Sequence, residues 1–212
     1  MEERVKKAII LAALLVALAT PAAAQTDPVF GAKVGINFAT LSVDPEDPED
    51  VTETRTAFTV GALMIFPMNA RFAFQPEVLY SSQGAKGESE GVDAQIKLDY
   101  INIPLLANIN LSGGDYPISL LVGPQLGFKV SAKIKAEAAG VEFEEDFDDQ
   151  TETFDFGLVT GVAATIKNFV IDARYTWGLS NINKLSVNPL EDGDDQEVKN
   201  RVFTISVGYL FR

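Results

Sequence analysis

The chain contains neither cysteine nor histidine among its 212 residues. Without cysteine there is no disulfide framework, no thiol nucleophile and no thiolate metal ligand. Without histidine there is neither the commonest acid/base group near neutral pH nor the commonest metal ligand. Ser-His-Asp triads and histidine-dependent lipid-modifying or protease sites are therefore excluded. Carboxylate pairs can still act as acid and base, but none stands out in a chain with 30 Asp and Glu. No catalytic, cofactor-binding or metal-ligating residue is assigned, no cofactor is expected, and the sequence reads as non-enzymatic. Basic residues are scarce as well, 17 Lys and Arg in all. They form no basic patch, which disfavours nucleic acid as a partner. Long apolar runs are missing beyond residue 24. A membrane crossing by this part of the chain would have to be a closed barrel, because hydrocarbon cannot satisfy the open edge of a sheet.

The one apolar run is at the start. Met1 to Lys7 carries Arg4, Lys6 and Lys7, Ala8 to Ala19 is uninterrupted, and Thr20-Pro21-Ala22-Ala23-Ala24 supplies small residues. A basic segment, a short apolar segment and an Ala-x-Ala site read as a secretory signal peptide over residues 1–24, cleaved after Ala24. The alternative is an anchoring helix, but 12 residues are too few for roughly 30 Å of hydrocarbon. Residues 25–212 are then long enough for one domain.

Within that domain the acids gather in four stretches, Asp44 to Glu53, Glu88 to Asp93, Glu137 to Glu152 and Glu191 to Glu197. Between them the sequence alternates. Phe30, Ala32, Val34, Ile36 and Phe38 alternate with Gly31, Lys33, Gly35 and Asn37, and Phe58, Val60, Ala62, Met64 and Phe66 with Thr59, Gly61 and Leu63. Segments from Arg71 to Gln83, Ile118 to Ser131, Phe154 to Ala164 and Asn168 to Ser180 behave alike. The final segment sets Phe203, Ile205, Val207, Tyr209 and Phe211 against Thr204, Ser206 and Gly208, as a barrel's closing strand would. Gln95 to Asn110 is less regular: Ile96, Leu98 and Tyr100 share one parity, and Ile101, Ile103, Leu105 and Ile109 the other. A bulge near Tyr100 or Asn102, with Pro104 close by, would shift the phase. The expectation is an all-β, eight-stranded antiparallel up-and-down transmembrane β-barrel, each strand about ten residues or slightly longer.

A soluble barrel or sandwich would show the same period with its apolar face turned inward. Two features favour the membrane arrangement. The polar parity is rich in glycine and small residues, which suits a narrow lumen. Connections also alternate in length: short near Pro67 to Ala70, Leu111 to Tyr116 and Ile166 to Asn168, long and acidic elsewhere. Short periplasmic turns and long external loops have this pattern. Phe66, Phe72, Phe169 and Tyr209 near the short turns, with Tyr80, Tyr175 and Trp177 towards the loops, would form two interfacial girdles.

Several motifs, in order, resemble the PorT-like or "porin family" outer-membrane β-barrel proteins. They are Gly31-Ala-Lys-Val-Gly-Ile-Asn-Phe38, Phe74-Gln-Pro-Glu-Val-Leu-Tyr80 with Gln83-Gly-Ala-Lys86, and Tyr100-Ile-Asn-Ile-Pro-Leu-Leu106. Gly123-Pro-Gln-Leu-Gly127, Asp155-Phe-Gly-Leu158, Asp172-Ala-Arg-Tyr175 with Gly178-Leu179, and Asn200-Arg-Val-Phe203 follow. Arg212 after Phe211 departs from the family's aromatic terminus. The resemblance implies an eight-stranded barrel in the outer membrane of a Gram-negative bacterium and no catalytic residue.

On the expected interior parity lie Lys33, Glu77, Lys129, Asp172 and Arg174, with Asn37, Gln75 and Gln125. The bore of eight strands is one that side chains fill, so charges there must pair. Either they form a fixed plug or they line a polar conduit. Asp172 and Arg174 share a strand face, and Glu77 is a candidate partner for Arg174 or Lys129. The acidic runs Asp44 to Asp50 and Asp192 to Asp195 offer hard oxygen ligands for divalent cations, but lack the spacing of a calcium loop. A solvated, self-repelling surface is the plainer reading. The expected partners are outer-membrane lipid and other envelope proteins. The functional expectation is a structural or surface-interaction barrel, with a narrow channel for small ions or an accessory of a secretion machine as alternatives.

Overall fold

Alternation in sequence becomes alternation in exposure. In β1 (Val29–Asp44) Gly31, Lys33, Gly35, Asn37 and Ala39 are buried, while Phe30, Ala32, Val34, Ile36 and Phe38 are exposed. β9 (Glu197–Phe211) repeats this, with Val202, Thr204, Ser206, Gly208 and Leu210 inside and Phe203 to Phe211 alternating outside. The computed structural model describes residues 27–44, 53–89, 92–112, 117–138, 141–146, 152–182 and 197–211. Residues 1–24, read above as a signal peptide, lie outside these, as do Glu46 to Asp50 and Asp192 to Asp195, the bulk of the runs considered for divalent cations.

The remaining strands are β2 (Glu53–Pro67), β3 (Phe72–Ser89), β4 (Val92–Asn110), β5 (Ile118–Ala138), β6 (Val141–Asp146), β7 (Phe154–Ile166) and β8 (Phe169–Gly178). Eight of them close into an antiparallel barrel. β1 pairs with both β2 and β9, and β4 pairs with β5, so no edge of the barrel wall is left open. The outward band of Phe, Val, Ile and Tyr from Phe30 to Phe38 and from Phe203 to Phe211 is what a hydrocarbon layer demands of a barrel's exterior. Aromatic pairs mark its short-turn end: Phe66 stacks with Phe74 at 6.3 Å, and Phe169 meets Tyr209 edge-on at 5.3 Å.

Three expectations need correction. The stretch Glu137 to Glu152 is not simply a loop, because it holds β6, which pairs along the outer end of β5 from Lys133↔Asp146 to Ala138↔Val141. The stretch Glu88 to Asp93 is not a long connection either. β3 and β4 stay paired out to Ser89↔Val92, so these strands are 18 and 19 residues long rather than about ten. A bilayer uses only about 9–11 residues of each strand, and the surplus carries the sheet above the membrane. Finally, β4 keeps one register with β3 from end to end, so the parity switch near Tyr100 is no bulge in β4. The extra residue belongs to β5, where Asp99↔Ser131 is followed by Tyr100↔Lys129. Leu98 and Tyr100 are apolar on the inner parity because they seal the barrel's mouth.

Candidate functional site in the barrel lumen

Three strands bring four charges together across the bore. Lys33 comes from β1, where its register neighbours are Gly61 on β2 and Gly208 on β9, leaving room for its long side chain. Glu77 comes from β3, and Asp172 and Arg174 from β8. Arg174 grips Glu77 in a two-pronged contact, Nη1 to Oε2 at 2.9 Å and Nη2 to Oε1 at 3.2 Å. Its Nε donates to Asp172 Oδ1 at 2.8 Å. Lys33 Nζ lies 2.9 Å from Glu77 Oε1 and 2.8 Å from Asp172 Oδ2. Two cations and two carboxylates thus close a neutral ring. Their side chains are at most 4% exposed. Forked guanidinium–carboxylate geometry is the strong form of such a contact.

The ring is tied to its surroundings on one side and faces a polar network on the other. Gln75 Nε2 donates to Glu77 Oε1 at 2.8 Å, and Asn108 Nδ2 donates to Gln75 Oε1 at 2.7 Å. Towards the mouth Asn37 Nδ2 donates to Ser81 Oγ and to the Ser82 carbonyl, both at 2.9 Å, and Asn37 Oδ1 accepts from Thr204 Oγ1 at 2.9 Å. Between ring and network lies a cavity of about 20 Å³ bordered by Lys33, Asn37, Ser81, Thr176 and Arg174, room for about one water. Nearer the mouth Asn200 Nδ2 donates to Asp155 Oδ2 at 2.8 Å, beside the buried Tyr100.

Lys129, the fifth residue expected with these charges, is not in the ring. It lies half-buried towards the mouth, in register with Tyr100, and its backbone N–H donates to the Thr153 carbonyl. The interior is also less uniformly polar than the glycine-rich parity suggests. At the short-turn end Leu63, Leu106, Leu121, Val159, Val170 and Leu210 pack into a buried apolar cluster. At the mouth Leu41, Ala85, Leu98, Tyr100, Ala132 and Ile182 form a second. Ile182 is held there between β9 and the residues before β7, its N–H donating to the Val198 carbonyl and its carbonyl accepting from the Glu152 N–H, both at 2.9 Å. Leu63 and Leu210 stood on the inner parity in the sequence. A large aliphatic side chain on a glycine-rich parity was the available signal for the plug.

In the ring the charges are matched, whereas Asp99 Oδ1, Asp155 Oδ1, Asn200 Oδ1 and Ser206 Oγ are buried without a hydrogen-bond partner. Both carboxylates of the ring already face cations, and the adjoining space holds no more than a water. Among the described residues no cluster of three or more His, Cys, Asp or Glu could hold a metal. A closed antiparallel barrel, apolar outside and charge-paired within, is the arrangement that a bilayer selects. Over residues 23–184 the chain matches the family described as outer membrane protein beta-barrel domain. The chain belongs to this family. It is an outer-membrane barrel, bordered by the lipid of a Gram-negative envelope.

No curated protein sequence matches the chain. Among solved structures it is similar to Ail, the attachment invasion locus protein of Yersinia pestis, at 15% identity, 88% coverage of this chain, 100% of Ail and a TM-score of 0.48. It is similar to Neisserial surface protein A at 14% identity, with 88% and 100% coverage and a TM-score of 0.47. OprG from Pseudomonas aeruginosa follows at 11% identity, 87% and 96% coverage and a TM-score of 0.47.

Proposed function

We propose that this barrel is a non-enzymatic protein with a plugged lumen that serves a structural or surface-interaction role in the outer membrane, and that it is of the PorT-like kind within its family. The observation that carries the reading is the neutral ring of Lys33, Glu77, Asp172 and Arg174, held between two apolar layers. An ion entering from either end would have to cross buried leucines and then displace a charge pair. What the molecule offers its surroundings is its outer end, where β3, β4, β5 and β6 continue past the membrane and carry much of the acid. Envelope proteins are the partners this surface would meet. Planar-bilayer recordings test the plug: a discrete conductance from the wild-type barrel would overturn it. Fractionation and heat-modifiable migration test the placement, and recovery as a soluble periplasmic protein would sink it. The export reading adds that the mature chain starts at Gln25, which N-terminal sequencing checks.

A narrow channel for small ions is the second reading. It is favoured by the polar chamber around Asn37, Ser81 and Thr204, which adjoins the ring. In that case neutralising Arg174 and Glu77 together would change the conductance. An accessory role in a secretion machine rests on the PorT-like motifs alone, and stoichiometric co-purification of envelope partners would raise it.

A further inference from the structure

The outer wall is not uniformly filled. A recess of about 540 Å³ opens on the face bounded by Phe30, Met64, Phe66, Phe74, Ile103 and Leu105. Its volume is within the roughly 300–1,000 Å³ typical of small-molecule sites. Its origin is in the sequence. Pro76 on β3 and Pro104 on β4 have no N–H to give to a ladder. Accordingly the β2–β3 pairing runs to Leu63↔Glu77 and resumes at Phe66↔Phe74, and the β3–β4 pairing lapses after Pro76↔Leu105 and resumes at Leu79↔Asn102, each in an unchanged register. Ala62, small and outward between Val60 and Met64, deepens the same place. At the floor Ile103 is only 3% exposed although it is on the outward parity.

We propose that this recess binds one acyl chain of a phospholipid from the periplasmic leaflet. The wall around it faces hydrocarbon, so an apolar chain is what reaches it. Phe66 and Phe74 place it at the short-turn end, which is the periplasmic side of such a barrel. The turn joining β2 to β3, held by Asn69 Oδ1 accepting from the N–H groups of Arg71 and Phe72 at 2.9 Å, carries one charge, the exposed Arg71. Arg71 is three residues from Phe74, about 10 Å at ~3.3 Å per residue. That is within reach of the phosphate of a lipid whose chain lies in the recess, and guanidinium–phosphate contacts are strong.

The test uses the full barrel, refolded or purified in mild detergent and shown to be heat-modifiable. Native mass spectrometry should find one phospholipid retained by the wild type. Retention should be lost in Ala62→Phe, kept in Ala173→Phe on the lipid-facing wall of β8, and reduced several-fold in Arg71→Gln. Phosphatidylglycerol with a diazirine on its acyl chain, added to the wild type alone, should label peptides containing Phe66, Phe74 and Ile103 above all others. Labelling spread evenly around the barrel would overturn the proposal. So would retention that Ala62→Phe leaves unchanged, a recess that keeps only detergent, or a dimer in place of the lipid. The wild-type labelling pattern decides the matter even if Ala62→Phe fails to fold, and conductance, which tests the plug, plays no part in it.

Discussion

Arg174 makes three contacts, to both oxygens of Glu77 and to Asp172, at 4% side-chain exposure or less. Its removal would leave two carboxylates facing Lys33 alone, with a surplus negative charge in the bore. Breaking a buried pair by deleting one partner costs about 3–5 kcal/mol. Arg174→Ala should therefore lower the stability of the barrel by that amount, read from urea unfolding in detergent with Trp177 as the fluorophore. Lys129→Ala is the comparison at this scale. Lys129 is half-buried and outside the ring, so its removal leaves all four ring contacts in place and should cost less than removal of Arg174. Equal losses in the two variants would show that the ring is no special store of stability. A second residue-scale prediction concerns Gly84, whose φ of +118° lies where side chains are rarely accommodated and whose missing Cβ would run into the Ile96 carbonyl. Gly84→Ala should cost about 1–3 kcal/mol and weaken the outer half of the β3–β4 hairpin, seen as faster amide exchange there.

At the scale of the strand, parity decides the cost of a substitution. Val34 is 57% exposed in the middle of β1's outward row, between Val60 on β2 and Val207 on β9. A charge there meets hydrocarbon. Val34→Arg should destabilise the barrel by about 2–4 kcal/mol in phospholipid vesicles, with a much smaller effect in a detergent that can rearrange around it. A vesicle value near zero would mean that this row does not face lipid. Parity, the short turns and the barrel class were legible in the sequence because each is local: a period of two, a glycine-rich face, a turn of few residues. Strand ends were less legible. β3 and β4 stay paired through the acidic stretch as far as Ser89 and Val92, since pairing against a neighbour can hold residues that show no clean alternation of their own. β6 escaped notice for the same reason, being short, acidic and defined by its pairing with β5.

At the scale of the molecule the lumen is sealed in layers, so one substitution should not open it. The wild type should show no discrete conductance in planar bilayers. Arg174→Ala alone should stay silent, because Leu63, Leu106, Leu121 and Leu210 still block the short-turn end. Combining it with Leu63→Ala and Leu210→Ala should give a measurable current. A conducting single variant would mean that the leucines do not pack as a plug. For the strands that alternate cleanly, such as β1, β2, β7, β8 and β9, the amino-acid sequence by itself determined which residues face outward and which inward, because strand geometry alternates with every residue whatever the partner; for β4 it did not. Only the tertiary structure decided that Lys33, Glu77, Asp172 and Arg174 meet while Lys129 does not, and that leucines close the floor beneath them. Those contacts join strands far apart in the chain, and the stagger at which the barrel closes sets which inward residues share a level.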